Sequence, residues 1–180
     1  MDYQKIIDKY YPVGTLRRDI FMKHSRQVAD LALELARRNN LDLDPSKIEA
    51  AAMLHDIGIF MTDASTIGCE GKERYISHGP LGAALLRSEG VDEDIARVAE
   101  RHTGTGISAD VIETLGLPIP AQDYIPRTLL ERLVCYADKF YSKSGAMERK
   151  SFQRARASVA RYGGDSLERF DAMASMFGRP

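Results

Sequence analysis

The histidines of this chain are few and stand at positions where a core residue is expected. There are four, His24, His55, His78 and His102. Helical spacing places His24 on the same apolar stripe as Val28. His102 ends a similar apolar face, His55 follows the apolar run 50–54, and His78 stands at a predicted helix start. Because imidazole is a good ligand for first-row transition metals, the pattern predicts a metal site.

Two aspartates join this set. Asp56 follows His55 directly, and Asp138 continues an apolar stripe through Leu130 and Val134. A buried carboxylate is costly unless a cation or several donors satisfy it. Taken alone, one histidine can be an ordinary core residue and Asp138 can pair with an arginine. Taken together, the six residues favour a site for Fe, Mn, Zn or Ni.

The adjacency of His55 and Asp56 limits how both can reach one metal. Neighbouring helical residues point about 100° apart, since a turn contains 3.6 residues. We expect a helix end at this point, with Gly58 relaxing the backbone, so that both side chains approach the metal from one side.

Helical periodicity dominates the elements that must position these residues. Capping residues and the prolines and glycines that end helices set the predicted boundaries. We predict a loop at 62–75 and a proline-rich connector at 116–127. The predicted helices cover 3–10, 16–38, 45–58, 77–86, 92–103, 108–115, 128–142, 150–161 and 165–177, the last opened by a capping box of Asp165 and Glu168.

Helical periodicity, with no repeat or long linker, predicts one all-α domain that covers residues 1–180, with a core at about 15–143 and C-terminal helices at 149–177 packed on it. The chain is 44% hydrophobic and 28% charged, which suits a globular core. The formal net charge of −1 argues against nucleic acid as a partner. No apolar run is long enough to span a membrane. The two distant cysteines and the absence of a signal peptide lead us to expect a cytoplasmic protein with reduced thiols.

The ordered set resembles a known signature. His24, then His55-Asp56 in "LHDIG", then Asp138 in "CYADKF" is similar to the H…HD…D pattern of the HD superfamily of metal-dependent phosphohydrolases. His78 in "ISHGPLGA" and His102 in "AERHTGTGIS" resemble the additional histidines of bimetallic HD domains. The similarity runs from about residue 17 to 142, and it is greatest to small stand-alone HDIG-domain proteins.

The resemblance implies a compact single-domain helical bundle of the HD-domain type with two divalent metal ions. His24, His55, Asp56 and Asp138 would hold the first ion. Asp56 would bridge to the second ion, which His78 and His102 would complete. The expected catalytic residues are Asp56 and His55, and the expected nucleophile is a metal-bound hydroxide.

The resemblance also restricts the substrate. In the cyclic-dinucleotide phosphodiesterases of the HD-GYP type, a lysine follows HDIG and a GYP motif is present. Here Ile59 takes the place of that lysine, and "GTGIS" takes the place of GYP. We therefore expect a small phosphoester or phosphoanhydride, with a nucleotide as the first choice. A partial similarity to bacterial dinucleoside-tetraphosphate hydrolases agrees with this choice.

A phosphorylated substrate needs cationic partners, and several basic residues neighbour the predicted ligands. We expect the loop 62–75 to act as a lid over the site. The candidate substrate contacts are Lys139, Arg101, Lys143 and Lys23, with Arg17 and Arg18 two turns before His24.

Two other functions stay open at this point. A branch of the same superfamily uses the same six ligand types in a di-iron oxygenase, and degenerate HD folds serve as non-catalytic regulatory domains. Because all six ligand positions are filled, the regulatory reading ranks last. A homodimer is possible.

Overall fold

The computed structural model describes residues 2–180, which form nine α-helices and one two-stranded hairpin. Short 3-10 turns lie at Ile57–Met61, Ser65–Ile67 and Tyr75–Ser77. The hairpin pairs β1 (Asp63–Ala64) with β2 (Cys69–Glu70) in antiparallel register. The helices are α1 (Tyr3–Tyr10), α2 (Leu16–Arg38), α3 (Pro45–Leu54), α4 (His78–Ser88), α5 (Glu93–Arg101), α6 (Ala109–Leu115), α7 (Leu129–Asp138), α8 (Phe152–Ala160) and α9 (Gly164–Phe177). The expected all-α fold class is confirmed.

Side-chain caps begin four of the five helices that position the histidines and aspartates; α4, which His78 opens, has none. The hydroxyl of Thr15 accepts from the first turn of α2, and the carboxylate of Asp44 caps α3 with Pro45 at the first helical position. Asp92 caps α5, and Thr128 caps α7 by accepting from the N–H of Glu131. These caps satisfy backbone donors that a helix leaves free, so the starts of these helices follow from local sequence.

Two predicted helix ends and one predicted capping box are wrong. Helix α3 ends at Leu54 rather than near residue 58, because the backbone leaves the helical conformation at Asp56 (φ −100°, ψ 12°). Helix α7 ends at Asp138 rather than at residue 142. Helix α9 begins at Gly164 without a side-chain cap, so Asp165 and Glu168 do not form the predicted capping box.

The apolar core is one continuous cluster of buried side chains that extends from Ile7 in α1 to Phe177 in α9. Helix α2 packs against α3 on one side and α7 on the other. An aromatic group joins α7 to α9, with the rings of Tyr136 and Phe170 5.3 Å apart. Helices α2 and α7 therefore pack on each other within the core, and both carry residues of the candidate site.

The segment between α3 and α4 belongs to a smaller apolar cluster. Ile59, Ile67 and Cys69 pack together apart from the main core, with Ile20 of α2 at their edge. The predicted loop is thus a short hairpin with its own contacts. Separately, no helix within residues 2–180 combines the length and the apolar character that crossing a bilayer requires.

Candidate metal centre

Six buried side chains from five parts of the fold meet between the helices. His24 lies in the middle of α2, and Asp138 is the last residue of α7. The other four side chains belong to the ends of elements: His55 and Asp56 follow α3, His78 opens α4 and His102 follows α5. The four histidines and Asp56 are at most 2% exposed, and Asp138 is 8% exposed.

The first group of donors forms around one carboxylate oxygen of Asp56. Its Oδ2 atom lies 3.2 Å from Nε2 of His24 and 3.2 Å from Nε2 of His55. Asp138 closes this group, with Oδ1 3.0 Å from His24 Nε2 and 3.6 Å from His55 Nε2. The four donor atoms are close enough to one another to coordinate a single ion.

The second group of donors forms around the other oxygen of Asp56. Oδ1 lies 3.1 Å from Nε2 of His102 and 3.5 Å from Nε2 of His78. The two imidazole nitrogens are 3.0 Å apart. Asp56 is therefore shared by the two groups, one oxygen for each.

The backbone fixes which nitrogen each of three rings turns to the centre. The Nδ1 atoms of His55, His78 and His102 lie 2.6–2.8 Å from the carbonyl oxygens of the residues three positions earlier. A carbonyl only accepts, so each Nδ1 carries the proton and each Nε2 of a neutral ring presents a lone pair. The corresponding Nδ1 of His24 has no partner within residues 2–180.

This arrangement fits a metal cation. Nε2 of His78 and Nε2 of His102 are both acceptors, so they cannot hydrogen-bond to each other at 3.0 Å. The Asp56 oxygen beside them is a further acceptor. Three lone pairs that converge in a buried space call for a positive ion, and imidazole with carboxylate is the donor set of divalent transition metals.

Burial and the charges of neighbouring side chains set the pKa values of the buried groups in this cluster. Burial lowers the pKa of His55, but the charges of Asp56 and Asp138 outweigh it and raise the pKa to about 9. Burial and the neighbouring His102 lower the pKa of His78 to about 3, so this ring is neutral. Burial opposes ionisation of Asp56, yet Lys143 and His55 hold its pKa well below the usual range.

Two of the predicted substrate lysines lie at the centre. Nζ of Lys143 is 2.6 Å from Asp56 Oδ2 and forms an ion pair with it, although Oδ2 has no partner with hydrogen-bond angles. Nζ of Lys139 is 2.8 Å from Asp138 Oδ2 and donates to the carbonyl of His102 at 3.0 Å. Both ammonium groups therefore lie beside carboxylate oxygens of the first donor group.

The other two predicted substrate residues are placed elsewhere. The guanidinium of Arg101 pairs with the buried carboxylate of Glu131 at 3.1 Å and lies 3.5 Å from Glu100. Lys23 is exposed, although its neighbour His24 is buried. The structure thus does not bring Arg101 or Lys23 to the donor groups, because helical geometry turns adjacent residues to different faces.

Two residues near the second donor group were not predicted. The ring of Tyr75 lies 4.8 Å from that of His78, between centroids, and Thr103 Oγ1 is 3.4 Å from His78 Nε2. Each is next to a predicted histidine in the fold, since Tyr75 starts the turn before α4 and Thr103 follows His102. Sequence proximity to the histidines was the only available signal.

Gly58 of the HDIG segment contributes through contact rather than through conformational freedom. Its φ is not positive, contrary to a role in relaxing the backbone. A Cβ at this position would lie 2.2 Å from the carbonyl oxygen of His78 and 2.5 Å from the backbone nitrogen of Gly82. The turn that carries Asp56 therefore packs directly on the backbone of α4, which carries His78.

Comparison with known proteins agrees with this geometry. The sequence profile of the HD domain matches residues 21–142. The chain is 32% identical over 141 residues to a tRNA (cytidine(56)-2'-O)-methyltransferase of Thermoplasma volcanium, and 34% identical over 124 residues to the protein of that name in Picrophilus torridus. These alignments cover 78% and 69% of this chain.

The matched region is a minor part of those two relatives. It spans 37% of the length of the Thermoplasma protein and 32% of the Picrophilus protein. An uncharacterised protein of Methanocaldococcus jannaschii is 36% identical over 120 residues, which are 65% of this chain and 63% of that protein. No solved structure matches the chain significantly.

All six clustered residues lie inside the matched segment 21–142, which is more than half of the chain. The profile and the two groups of donors together support divalent metal binding by an enzyme. The chain belongs to the HD domain family.

Proposed function

We propose that this protein is a metal-dependent phosphohydrolase that cleaves a small phosphoester or phosphoanhydride, with nucleotides as the first substrate class. The observation that carries the proposal is Asp56, whose two oxygens face two separate groups of imidazole nitrogens. A carboxylate shared in this way is the arrangement of a two-metal hydrolase.

In this proposal His24, His55, Asp56 and Asp138 hold one divalent ion, and Asp56, His78 and His102 hold a second. Fe, Mn, Zn and Ni all suit these donors. When bound, such ions polarise a phosphoryl oxygen and lower the pKa of a water molecule. The packed helices contribute by holding the donors in a buried space, since all six side chains are at least nine-tenths buried.

The lysines of the centre favour an anionic substrate. Lys139 and Lys143 each place an ammonium within 3 Å of a donor carboxylate. In hydrolysis, water adds to phosphorus, the bond to the leaving oxygen breaks, and that oxygen takes a proton. Negative charge increases on the phosphoryl oxygens and the leaving oxygen during this step, so nearby ammonium groups stabilise it.

The same lysines disfavour a di-iron oxygenase that acts on a neutral alcohol, but they suit an anionic phosphonate as well as a phosphoester. Oxygen chemistry on a neutral alcohol would gain nothing from two ammonium groups beside the carboxylates. Oxygen consumption by the iron-loaded protein with small alcohols and phosphonates tests this alternative directly.

Methyl transfer is not the activity that we propose. The chain spans about one third of the named methyltransferases, and all six residues of the centre lie in this chain. We propose that the shared region has its own hydrolytic chemistry. Because those relatives act by name on tRNA, RNA with a terminal phosphate belongs in the substrate panel.

The test is hydrolysis by the purified protein loaded separately with each of the four metals. The panel contains nucleoside mono-, di- and triphosphates, a dinucleoside polyphosphate, p-nitrophenyl phosphate and terminally phosphorylated RNA. We expect phosphate release that falls at least 100-fold in Asp56→Asn. Lys23→Gln, on the same helix as His24 but exposed, is the matched control. Equal activity of the wild type and Asp56→Asn would contradict the proposal.

Metal content separates the two donor groups. We expect elemental analysis to find two ions per chain in the wild type and about one in His24→Ala and in His78→Ala. Asp56→Asn should have the lowest metal content, because its side chain belongs to both groups. Circular dichroism of all variants provides the folding control. Loss of both ions in His78→Ala with an intact fold would show that the groups do not bind separately.

A further inference from the structure

The turn that follows His102 is held by side chains of two other helices. From α7, Lys139 Nζ donates to the carbonyl of His102 at 3.0 Å. From α9, Arg169 donates through Nε to the carbonyl of Thr105 at 2.9 Å and through Nη2 to the carbonyl of Gly106 at 3.0 Å. The carbonyl groups of this turn therefore find their donors in residues that are far away in sequence.

The backbone of this turn depends on such contacts to keep its shape. Gly104 and Gly106 have positive φ angles of 60° and 98°, and glycine loses more conformational freedom on folding than any other residue. Thr105 between them is fully buried, and its Oγ1 donates to the carbonyl of Ser166 in α9 at 2.8 Å. Together with the two hydrogen bonds of Arg169, three hydrogen bonds join the turn to α9.

The same turn touches both histidines of the second donor group. His102 directly precedes it, and Thr103 Oγ1 lies 3.4 Å from Nε2 of His78. The histidines of the first donor group differ, because His24 lies within α2 and His55 follows α3. A displacement of the turn should therefore disturb the second donor group more than the first.

Arg169 is not the residue that docks α9 on the rest of the protein. The side chains of Phe170 and Phe177 are fully buried in the main core, and the hydroxyl of Tyr136 donates to the carbonyl of Gly178 at 2.9 Å. Both hydrogen bonds that the Arg169 guanidinium makes within residues 2–180 go to the turn. Helix α9 can therefore stay in place when this guanidinium is removed, while the turn loses two of its donors.

We propose that Arg169 is a positioning residue for the second metal ion, because it fixes the turn that carries His102 and Thr103. The inference rests on the proposed function and deepens it: a helix outside the matched segment 21–142 sets the affinity of one of the two ions. Contacts that orient metal ligands without touching the metal commonly change metal affinity by about 10- to 100-fold. A guanidinium suits this role, since its rigid fork reaches two carbonyl oxygens at once.

The test measures the affinity of each donor group for Mn²⁺ and Zn²⁺ in Arg169→Met, which keeps an apolar stem and removes the donors. Isothermal titration of chelator-treated protein is done in two backgrounds, His24→Ala to isolate the second group and His78→Ala to isolate the first. We expect Arg169→Met to weaken binding roughly 10-fold in the second group and less than about 3-fold in the first. Arg156→Met is the matched control and should match the wild type, because Arg156 pairs with Asp171 of α9 at 2.7 Å without touching the turn.

Two further variants separate positioning from a general loss of stability. Arg169→Lys should recover part of the lost affinity, because an ammonium can donate to one carbonyl but lacks the fork. Thr105→Val removes the other hydrogen bond to α9 at nearly constant volume and should weaken the second group in the same direction. Where hydrolysis is present, excess metal should restore the activity of Arg169→Met, since the ligands themselves are intact.

Each failure has its own signature. Equal weakening of both donor groups in Arg169→Met, or no weakening, would overturn the positioning role even if hydrolysis occurs. Selective weakening of the second group without hydrolysis of any substrate would support the role and contradict the phosphohydrolase. Far-ultraviolet circular dichroism and urea unfolding show whether Arg169→Met is folded, and Thr105→Val with Arg169→Lys decides the question if it is not.

Discussion

Two histidines of the same centre have opposite protonation preferences. His55 lies between two carboxylates, so its imidazolium form is stabilised despite complete burial. His78 lies beside another imidazole and only one carboxylate oxygen, so burial dominates and the ring is neutral. The position of each ring relative to Asp56 and Asp138 decides whether the ring is protonated. Helical periodicity in the sequence does not predict these positions.

This difference predicts how the metal-free protein responds to pH. Folding raises the pKa of His55 from 6.5 to about 9. The stability that this ring adds to the folded state is therefore complete below pH 6.5 and is lost as the pH rises through 9. The pKa of His78 falls from 6.5 to about 3, so the unfolded chain takes up a proton below pH 6.5 that the native ring does not. We expect the free energy of unfolding to be greatest near pH 6.5 and to fall by roughly 0.6 kcal/mol over the first unit on either side for these two rings together.

Urea unfolding in the presence of a chelator, repeated over this pH range, measures the effect. His55→Ala should lose the alkaline decrease and keep the acidic one, whereas His78→Ala should keep the alkaline decrease and weaken the acidic one, which His102 also supports because burial lowers its pKa. If the free energy of unfolding instead rose steadily or fell steadily across the whole pH range, this account of the two rings would be wrong.

Among the helices, the contact of α5 with α7 has a role that the sequence does not reveal. Thr128 and Glu131 have the spacing of a capping box, and the threonine caps α7 as expected. The Glu131 carboxylate instead accepts from the N–H of Arg127 at 2.7 Å and pairs with Arg101. Arg101 therefore has a structural partner from another helix, and its predicted contact with substrate loses its support.

We expect Arg101→Met to lower the free energy of unfolding by about 3 kcal/mol, because it leaves the Glu131 carboxylate buried without its cation. The double variant Arg101→Met/Glu131→Met should recover most of this loss. Chemical denaturation measures both. An unchanged stability together with a large increase in KM would return Arg101 to the substrate site.

Local signals determine how much of the fold the sequence predicts. The bounds of α1 and α2 match the prediction, because periodicity, caps and a nearby proline or glycine act within a few residues. The end of α3 does not, since the turn at His55 and Asp56 is set by packing against α4. The inward direction of His24 and Asp138 follows from helical spacing. The partners of Lys143 and Glu131 depend on distant segments, so sequence alone could not assign them.

At the scale of the molecule, the six donors come from α2, α4, α7 and the segments that follow α3 and α5. These elements also build the continuous apolar core. An ion held by donors so far apart in sequence binds the folded chain and not the unfolded one, so binding adds to stability. The core and the centre should therefore unfold together, in agreement with our proposal of one domain for residues 1–180.

We expect metal to stabilise the whole chain in a single transition. At a free metal concentration of about 1,000 times Kd, binding adds about 4 kcal/mol, which corresponds to an increase in Tm of roughly 8–16 °C for a protein of this size. Differential scanning calorimetry with metal and with chelator measures the shift. Two separate transitions would contradict the single-domain proposal, and an unchanged Tm would contradict tight binding.

The contact of Gly58 with α4 has a consequence for protein engineering. Backbone meets backbone there, so the spacing between the Asp56 turn and the His78 helix is set by main-chain contact. A designer who wishes to retune the enzyme for ions of another radius would gain little by exchanging ligands alone. The adjustable part is the Gly58–Gly82 contact, where a single added methyl group would push the Asp56 turn and the His78 helix apart.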